Sequence, residues 1–266
     1  MNNSTKIIII GSLLGTLGIA GLAKAISTNQ PQLPIAIMPQ YHSSTQMIIN
    51  QDKNVEVNEE KEKLDAVNDA DTEVNDDKLP TSLSQVGEYG ESVYDMAKAN
   101  DWTKATANIN LLENALKSLH TEIKGENKPE LAQLNSKIAA LTQAVTTKNR
   151  ISAMHKANQV TLIAANITKE FKPKVPVEVT LLDYYGRELE IWSATGNTSN
   201  LKTTASEMHR TWNAVRPSIL ARGGTAQVQK FDGLVASVEA AKSSKDSARF
   251  ATSVLDEVDN LEKVFK

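Results

Sequence analysis

Two Met-His pairs are the side chains with the clearest potential for metal chemistry, Met154-His155 and Met208-His209. Methionine sulfur and imidazole nitrogen ligate haem iron in helical bundles and serve as soft ligands of copper. Two ligands share one helical face at a spacing of three or four, yet the sequence has no His-x-x-x-His, Glu-x-x-His or His-Glu-x-x-His. We therefore expect no dedicated metal site or cofactor. A haem, copper or iron site at the two pairs is the alternative.

A second candidate site lies within residues 183–190, Asp-Tyr-Tyr-Gly-Arg-Glu-Leu-Glu. Tyr185, Arg187 and Glu188 place an aromatic ring, a cation and an acid where they could line a ligand-binding cleft between helices. The alternative is packing. Gly186 costs a helix about 1 kcal/mol relative to alanine, which the close approach of a neighbouring helix would explain. Arg187 also follows an acid by four residues, the spacing of an ion pair within one helix.

The arginines are distributed unevenly, because all six occur at or after position 150. The planar guanidinium fork recognises carboxylates and phosphates in a way that lysine does not. His209, Arg210 and Arg216 lie together on the helix expected to face residues 183–190. We predict that they contribute to the same ligand- or partner-binding surface. The alternative is a solvated cluster of cations toward a helix C-terminus.

No pattern in the sequence indicates an enzyme. There is no Gly-x-Ser-x-Gly, no glycine-rich phosphate loop and no dinucleotide fingerprint. The chain has no cysteine, which excludes a thiol nucleophile, a disulfide scaffold and an iron–sulfur cluster. A net charge of −3 gives no reason to expect nucleic acid. We predict a non-enzymatic protein without catalytic residues.

Helices must position these candidates, because apolar residues recur at spacings of three and four, the pattern of a bundle helix. The breaks between the stripes have local causes: Asn100-Asp101 and Asn149 can cap a helix, and Pro129 fits a first turn. The first four stripes span Val86–Met96, Ala105–Ile123, Leu131–Val145 and Ala153–Ile167.

The same outline recurs 96 residues later, where the pair Tyr89-Gly90 falls on Tyr185-Gly186. After one inserted residue the later stripes follow, and Lys148-Asn149 falls on Lys245-Asp246, which predicts Asp246 as the cap of the last helix. Because the breaks move with the stripes, we predict an all-α fold made by tandem duplication of a roughly four-helix up-down bundle.

The predicted units are residues 83–172 and 177–266, each about 90 residues and large enough for its own core. Pro173 and Pro176 form the joint, because proline ends one helix and favours extended backbone before it.

The N-terminal 25 residues have the pattern of an export signal. Lys6 precedes an apolar run of 17 residues, Ile7–Ala23, and Ala23-Lys24-Ala25 fits a small-x-small cleavage site. The alternative is an uncleaved membrane anchor. Both predict a body outside the cytoplasmic membrane, in the periplasm or on the outer face of that membrane, and contact with the membrane only through this segment.

The composition of residues 26–82 predicts a disordered tether. Asp52–Lys78 carries 11 acids against four lysines, a net charge of −7. Such a composition buries too little apolar surface to offset the entropy of ordering.

The duplicated helical body resembles imelysin-like periplasmic proteins, which are built from two four-helix bundles and linked to iron uptake. The Gly-x-His-x-x-Glu metal motif of that family is absent, and Gly186-Arg187-Glu188 stands in its place. The stretches Tyr185–Glu188, Trp212–Pro217 and Leu255–Glu262 are also similar to exported bacterial helical proteins that have no assigned activity.

The sequence leaves three functions open. The first is a non-enzymatic envelope protein that binds a protein partner or small ligand in a cleft between helices. The second is a metal- or haem-binding periplasmic bundle. The third is a membrane-anchored sensor or scaffold domain.

Overall fold

The computed structural model describes residues 79–123 and 128–266, and these residues form helices without any strand. The predicted all-α class is therefore confirmed. The predicted export signal and nearly all of the predicted tether lie outside the described residues. A short 3-10 turn, Lys169–Phe171, follows the fourth helix. The helices are α1 (Thr81–Lys98), α2 (Trp102–Glu122), α3 (Lys128–Thr146), α4 (Arg150–Thr168), α5 (Val177–Thr195), α6 (Thr198–Ala221), α7 (Thr225–Glu239) and α8 (Ser244–Lys263).

The starts of equivalent helices repeat at the predicted distance. Helices α1 and α5 follow Pro80 and Pro176, which are 96 residues apart. Helices α2 and α6 are capped by Asp101 and Asn197, again 96 apart, and each cap accepts a hydrogen bond from the backbone N–H three residues later. The repeated outline is thus visible in the local backbone structure as well as in the apolar stripes.

The cap of α8 differs from the prediction. The N-cap is Ser243, whose Oγ accepts a hydrogen bond from the Asp246 N–H at 3.1 Å, so the predicted cap at Asp246 is wrong. Asp246 instead lies in the first turn, and its carboxylate accepts a hydrogen bond from the Ser243 hydroxyl at 2.6 Å. A serine cap with an acid three residues later satisfies the helix start better than the acid alone. Asn149 caps α4 as predicted.

Helices α1–α4 and α5–α8 form two sets with the same packing pattern. In each set every helix packs on the next one, and the first also packs on the fourth. Each set surrounds its own apolar core. Lys172, with φ of 49°, and the two predicted prolines connect the sets. Among residues 79–123 and 128–266, no helix is long and apolar enough to cross a membrane.

Two equivalent glycines permit the closest helix contacts. A Cβ on Gly186 would lie 2.6 Å from Leu255 Cδ2 of α8, and one on Gly90 would lie 3.1 Å from Thr161 Cγ2 of α4. Close packing against α8 therefore explains why Gly186, a poor helix former, occupies the middle of α5.

The two sets meet along a seam formed by α1, α4 and α5. Trp192 of α5 packs against both apolar cores, and Ile191 belongs to the core of the first set although it lies on a helix of the second. The α4 helix is buried on several sides, including the polar residues Asn158, Gln159 and Thr161. Of the candidate side chains, Arg187, Glu188 and His155 lie at this seam.

Candidate functional site

Equivalent positions of the repeat face one another across the seam. Arg187 Nη1 of α5 lies 3.4 Å from Glu91 Oε1 of α1, and the Tyr94 hydroxyl of α1 donates to Glu190 Oε2 of α5 at 2.8 Å. Both contacts join residues 96 positions apart. Helices α1 and α5 therefore run parallel and in register at these contacts.

Arg187 is the buried cation of the seam, with a side chain that is 10% exposed. Its Nη1 lies 2.5 Å from Asp183 Oδ2, and its guanidinium group lies over the Tyr94 ring at 5.5 Å. Burial alone would lower the pKa of Arg187, but the carboxylates of Asp183, Glu91 and Asp95 raise it. Arg187 thus stays charged and pairs with the carboxylates of Asp183 and Glu91.

The acids around Arg187 outnumber it. Burial, followed by the charges of Glu91, Glu262 and Asp259, raises the pKa of Asp183 to about 7 despite the Arg187 guanidinium. Burial is also the largest cause of the raised pKa of Glu91. One guanidinium cannot neutralise this many carboxylates, so part of the cluster binds protons near neutral pH.

Glu188 forms a second buried polar group, on the side of α5 that faces α4. The residue is 3% exposed. Its Oε1 accepts a hydrogen bond from Asn158 Nδ2 at 2.8 Å. Asn158 Nδ2 donates to the Tyr184 carbonyl at 3.1 Å as well. Burial raises the pKa of Glu188 to about 7, although the hydrogen bond from Asn158 acts in the opposite direction.

His155 completes this group from α4. Its Nε2 lies 3.9 Å from Glu188 Oε1, and its ring packs edge-on against Trp192 with centroids 5.1 Å apart. Burial, with the charges of Lys156 and Lys137, lowers the pKa of His155 to about 4. A neutral imidazole thus lies beside a carboxyl group that is half protonated near pH 7.

An open groove of about 500 Å³ lies at the end of the seam where α1 and α5 finish and α4 and α8 begin. All four helices line it. Its walls combine three cations, one acid, small apolar residues and hydroxyl groups. They are Lys98, Arg150, Met154, Glu190, Ser193, Ala194, Ser244, Lys245, Ala248 and Thr252.

The charges in the groove do not cancel. Lys98 Nζ binds both carboxylate oxygens of Glu190, at 2.7 and 2.8 Å, and Tyr94 donates to the same carboxylate. Arg150 and Lys245 are exposed and make no ion pair with any residue that the structure describes. The groove therefore carries a surplus of two positive charges.

Comparison with known proteins adds the family. A family model described as sporulation protein YpjB matches residues 82–266, from the second residue of α1 to the last residue of the chain. The chain belongs to this family. No curated protein and no solved structure matches the chain. None of the comparisons links it to imelysin-like proteins.

The structure does not bring the six binding residues predicted from the sequence into one site. Arg187 and Glu188 lie at the seam, but on different sides of α5 and among different partners. Tyr185 is buried in the second core. The three residues predicted on α6 lie away from the seam partners of Arg187 and Glu188.

Each of those three α6 residues has an acidic partner. His209 Nδ1 lies 2.6 Å from Glu239 Oε1 of α7, and Arg210 pairs with Glu207 one turn earlier. Arg216 binds Asp232 of α7 through two nitrogens, and the Trp212 indole donates to the same carboxylate at 2.7 Å. These contacts explain the α6 cations as links between α6 and α7 or within α6.

The two Met-His pairs are separated by the fold. Met208 is completely buried in the second core, whereas the His209 side chain is 42% exposed. Met154 is 3% exposed and belongs to the first core, while His155 faces Glu188. In the part of the chain that the structure describes, no three His, Cys, Asp or Glu residues are grouped to hold a metal ion.

Sequence analysis missed Tyr94 and Asn158, and it singled out His155 only as a possible metal ligand. All three acquire their contacts from tertiary packing, and Tyr94 lies outside the predicted stripe of α1. A usable signal was present in the repeat itself. Glu91 and Arg187 occupy equivalent positions with opposite charge, as expected where two copies of one helix face each other.

Proposed function

We propose that this chain is a non-enzymatic binding module of the cell envelope that acts in sporulation and takes a protein partner into the groove at the end of the seam. The observation that carries the proposal is the groove itself, which draws its walls from α1, α4, α5 and α8 and therefore from both helical sets. The family description supports the process in which the module acts.

The shape of the groove favours a polypeptide over a small ligand. Sites for small molecules are concave enough to bury most of the ligand surface. This groove is open to solvent, and exposed residues such as Ala194, Ala248 and Thr252 line it. A peptide segment can run along such a surface and continue beyond it, so the open shape costs it little binding area.

The N-terminal sequence supports an extracytoplasmic location. The basic start, the apolar run Ile7–Ala23 and the acidic segment Asp52–Lys78 together resemble an export signal followed by a spacer. If the apolar run is retained, the module is held at the membrane and acts as an anchored sensor or scaffold. If it is removed, the module is free in the same compartment.

The metal- or haem-binding alternative has no observation in its favour, because the two Met-His pairs point into different surroundings. The resemblance to imelysin-like proteins adds no ligand either, since the Gly-x-His-x-x-Glu motif is absent from the sequence.

The test is a substitution that fills the groove without touching its charges. Ala248→Trp places an indole on an exposed, groove-lining position of α8. Ala139→Trp is the matched control, because Ala139 is also exposed and helical but lies on α3 outside the groove. Each variant replaces the chain in its spore-forming host, and heat-resistant spores are counted.

We expect Ala248→Trp to lower the spore count and Ala139→Trp to leave it unchanged, with equal amounts of both proteins in the envelope fraction. Equal spore counts for the two variants would refute a role for the groove. Intact mass of the wild-type chain from the same fraction distinguishes a retained N-terminal segment from a cleaved one.

A further inference from the structure

The charge surplus of the groove identifies the chemistry of its occupant. Glu190 is already neutralised, because Lys98 binds both of its oxygens and Tyr94 donates to one of them. Arg150 at the start of α4 and Lys245 near the start of α8 are exposed and lack an acidic partner among residues 79–123 and 128–266. Two cations on opposite helices of one groove attract an anionic occupant.

The remaining walls suit a main chain with short or acidic side chains. Ala194 and Ala248 leave room, and Ser244 and Thr252 supply hydroxyl groups that can donate to carboxylates or peptide carbonyls. Ser193 also lines the groove, but its hydroxyl oxygen is buried beneath the surface and out of reach of an occupant.

From these features, and resting on the proposed function, we infer that the partner presents an acidic peptide segment to the groove, with carboxylates paired to Arg150 and Lys245. The guanidinium of Arg150 can bind one carboxylate through two nitrogens, whereas Lys245 contributes a point charge on the opposite wall. The open shape lets the segment enter and leave along its length.

The inference predicts binding of a defined probe. The probe is a fluorescein-labelled peptide of alternating Glu and Ala, measured by fluorescence anisotropy against the full chain as isolated from the envelope. A peptide of alternating Gln and Ala is the neutral control. We expect the acidic peptide to bind, the neutral one to fail, and the affinity to fall as salt rises because exposed ion pairs are screened.

Charge reversal at the groove is compared with an equal reversal elsewhere. The double variant Arg150→Glu/Lys245→Glu should weaken the acidic peptide by about tenfold or more, because attraction becomes repulsion at both contacts. The control Lys117→Glu/Lys202→Glu changes net charge equally at exposed lysines of α2 and α6, outside the groove. It should weaken the peptide by less than about twofold. Circular dichroism confirms that both variants are folded.

Several outcomes overturn the inference. If both double variants weakened the binding equally, the peptide would be attracted by the net charge of the protein and not by the groove. Displacement of the peptide by low concentrations of inorganic phosphate would point to a phosphate ligand. Groove-dependent binding to phosphatidylglycerol vesicles without peptide binding would point to a membrane surface. If the acidic peptide fails while Ala248→Trp still lowers the spore count, the proposed function stands and the acidic partner is wrong.

Discussion

Glu188 and His155 place two opposite pH effects within one buried group. Burial raises the pKa of Glu188 to about 7 and lowers the pKa of His155 to about 4. Between about pH 4.5 and 7, Glu188 has released its proton in the unfolded chain but still holds it in the folded chain. The free energy of unfolding therefore falls as the pH rises through this range. Between about pH 6.5 and 4, His155 is protonated in the unfolded chain but still neutral in the folded chain. The free energy of unfolding therefore falls as the pH decreases through this range.

Single substitutions should separate these two effects. Relative to wild type, Glu188→Gln should gain stability as the pH rises toward 7 and above, and His155→Phe should gain stability as the pH falls below about 6.5. Each gain should reach on the order of a few kcal/mol at its limit, because burial holds each pKa well away from its ordinary value. Urea unfolding at a series of pH values measures both.

The exposed pair His209–Glu239 provides the control, because both side chains are more than 40% exposed. His209→Phe and Glu239→Gln should change stability by less than about 1 kcal/mol at every pH in the series. Parallel pH curves for wild type and Glu188→Gln would contradict a buried, strongly shifted carboxyl group at the seam.

At the residue scale, the sequence indicated Arg187 and Glu188 but not what surrounds them. Their types and their place beside Gly186 were visible in residues 183–190. Their partners were not, because Glu91, Asn158 and His155 reach them from other helices. A side chain's neighbours on its own helix follow from spacing, whereas its neighbours on other helices depend on how those helices pack.

Helix boundaries follow from local chemistry, which explains why most of them were predictable. Asp101, Asn149 and Pro129 act where the sequence placed them. The cap of α8 was missed because Ser243 and Asp246 are both acceptable caps, and the choice depends on the hydrogen bonds that both make together. The burial of α4 on several sides was also hidden, because a single apolar stripe does not predict it.

The helix glycines differ in what a methyl group would meet, which gives a prediction at the scale of helix packing. Gly87 and Gly233 have no atom within 4 Å of an added Cβ, so Gly87→Ala and Gly233→Ala should each stabilise the protein by about 1 kcal/mol. Gly186→Ala should destabilise it by about 1 kcal/mol or more, because Leu255 Cδ2 and Cγ would lie at 2.6 and 3.0 Å. Thermal unfolding measures all three.

A double-mutant cycle with Leu255→Ala tests the cause. If overlap with Leu255 is the cost, Gly186→Ala should be better tolerated when Leu255 is already truncated, and the two effects should not add. Strict additivity would mean that the glycine is required for a different reason.

At the scale of the whole molecule, the two helical sets share the seam rather than merely being connected by a linker. Ile191 of α5 completes the core of the first set, and Trp192 packs against both cores. The parallel register of α1 and α5 brings equivalent residues together, but the seam is not symmetric, because α4 packs on α5 and α8 has no comparable contact with α1. Duplication could be predicted from the repeated stripes, but the way the copies join could not.

The shared seam predicts that the two sets unfold together. Trp102 packs against the first core and Trp212 lies in the second, so variants that keep one of them, with Trp192 of the seam replaced by Phe in both, report on each set separately. In each variant the fluorescence midpoint in urea should coincide with the circular dichroism midpoint, because coupled sets share one transition.

Arg187→Met should separate the midpoints, since Asp183 and Glu91 then lose their cation at a cost of about 3 kcal/mol. The exposed Arg210→Met, whose loss breaks a pairing within α6 alone, should leave them coincident. Separate midpoints with an intact seam would mean that the two sets fold independently, and a groove built from both would then depend on the linker rather than on the seam.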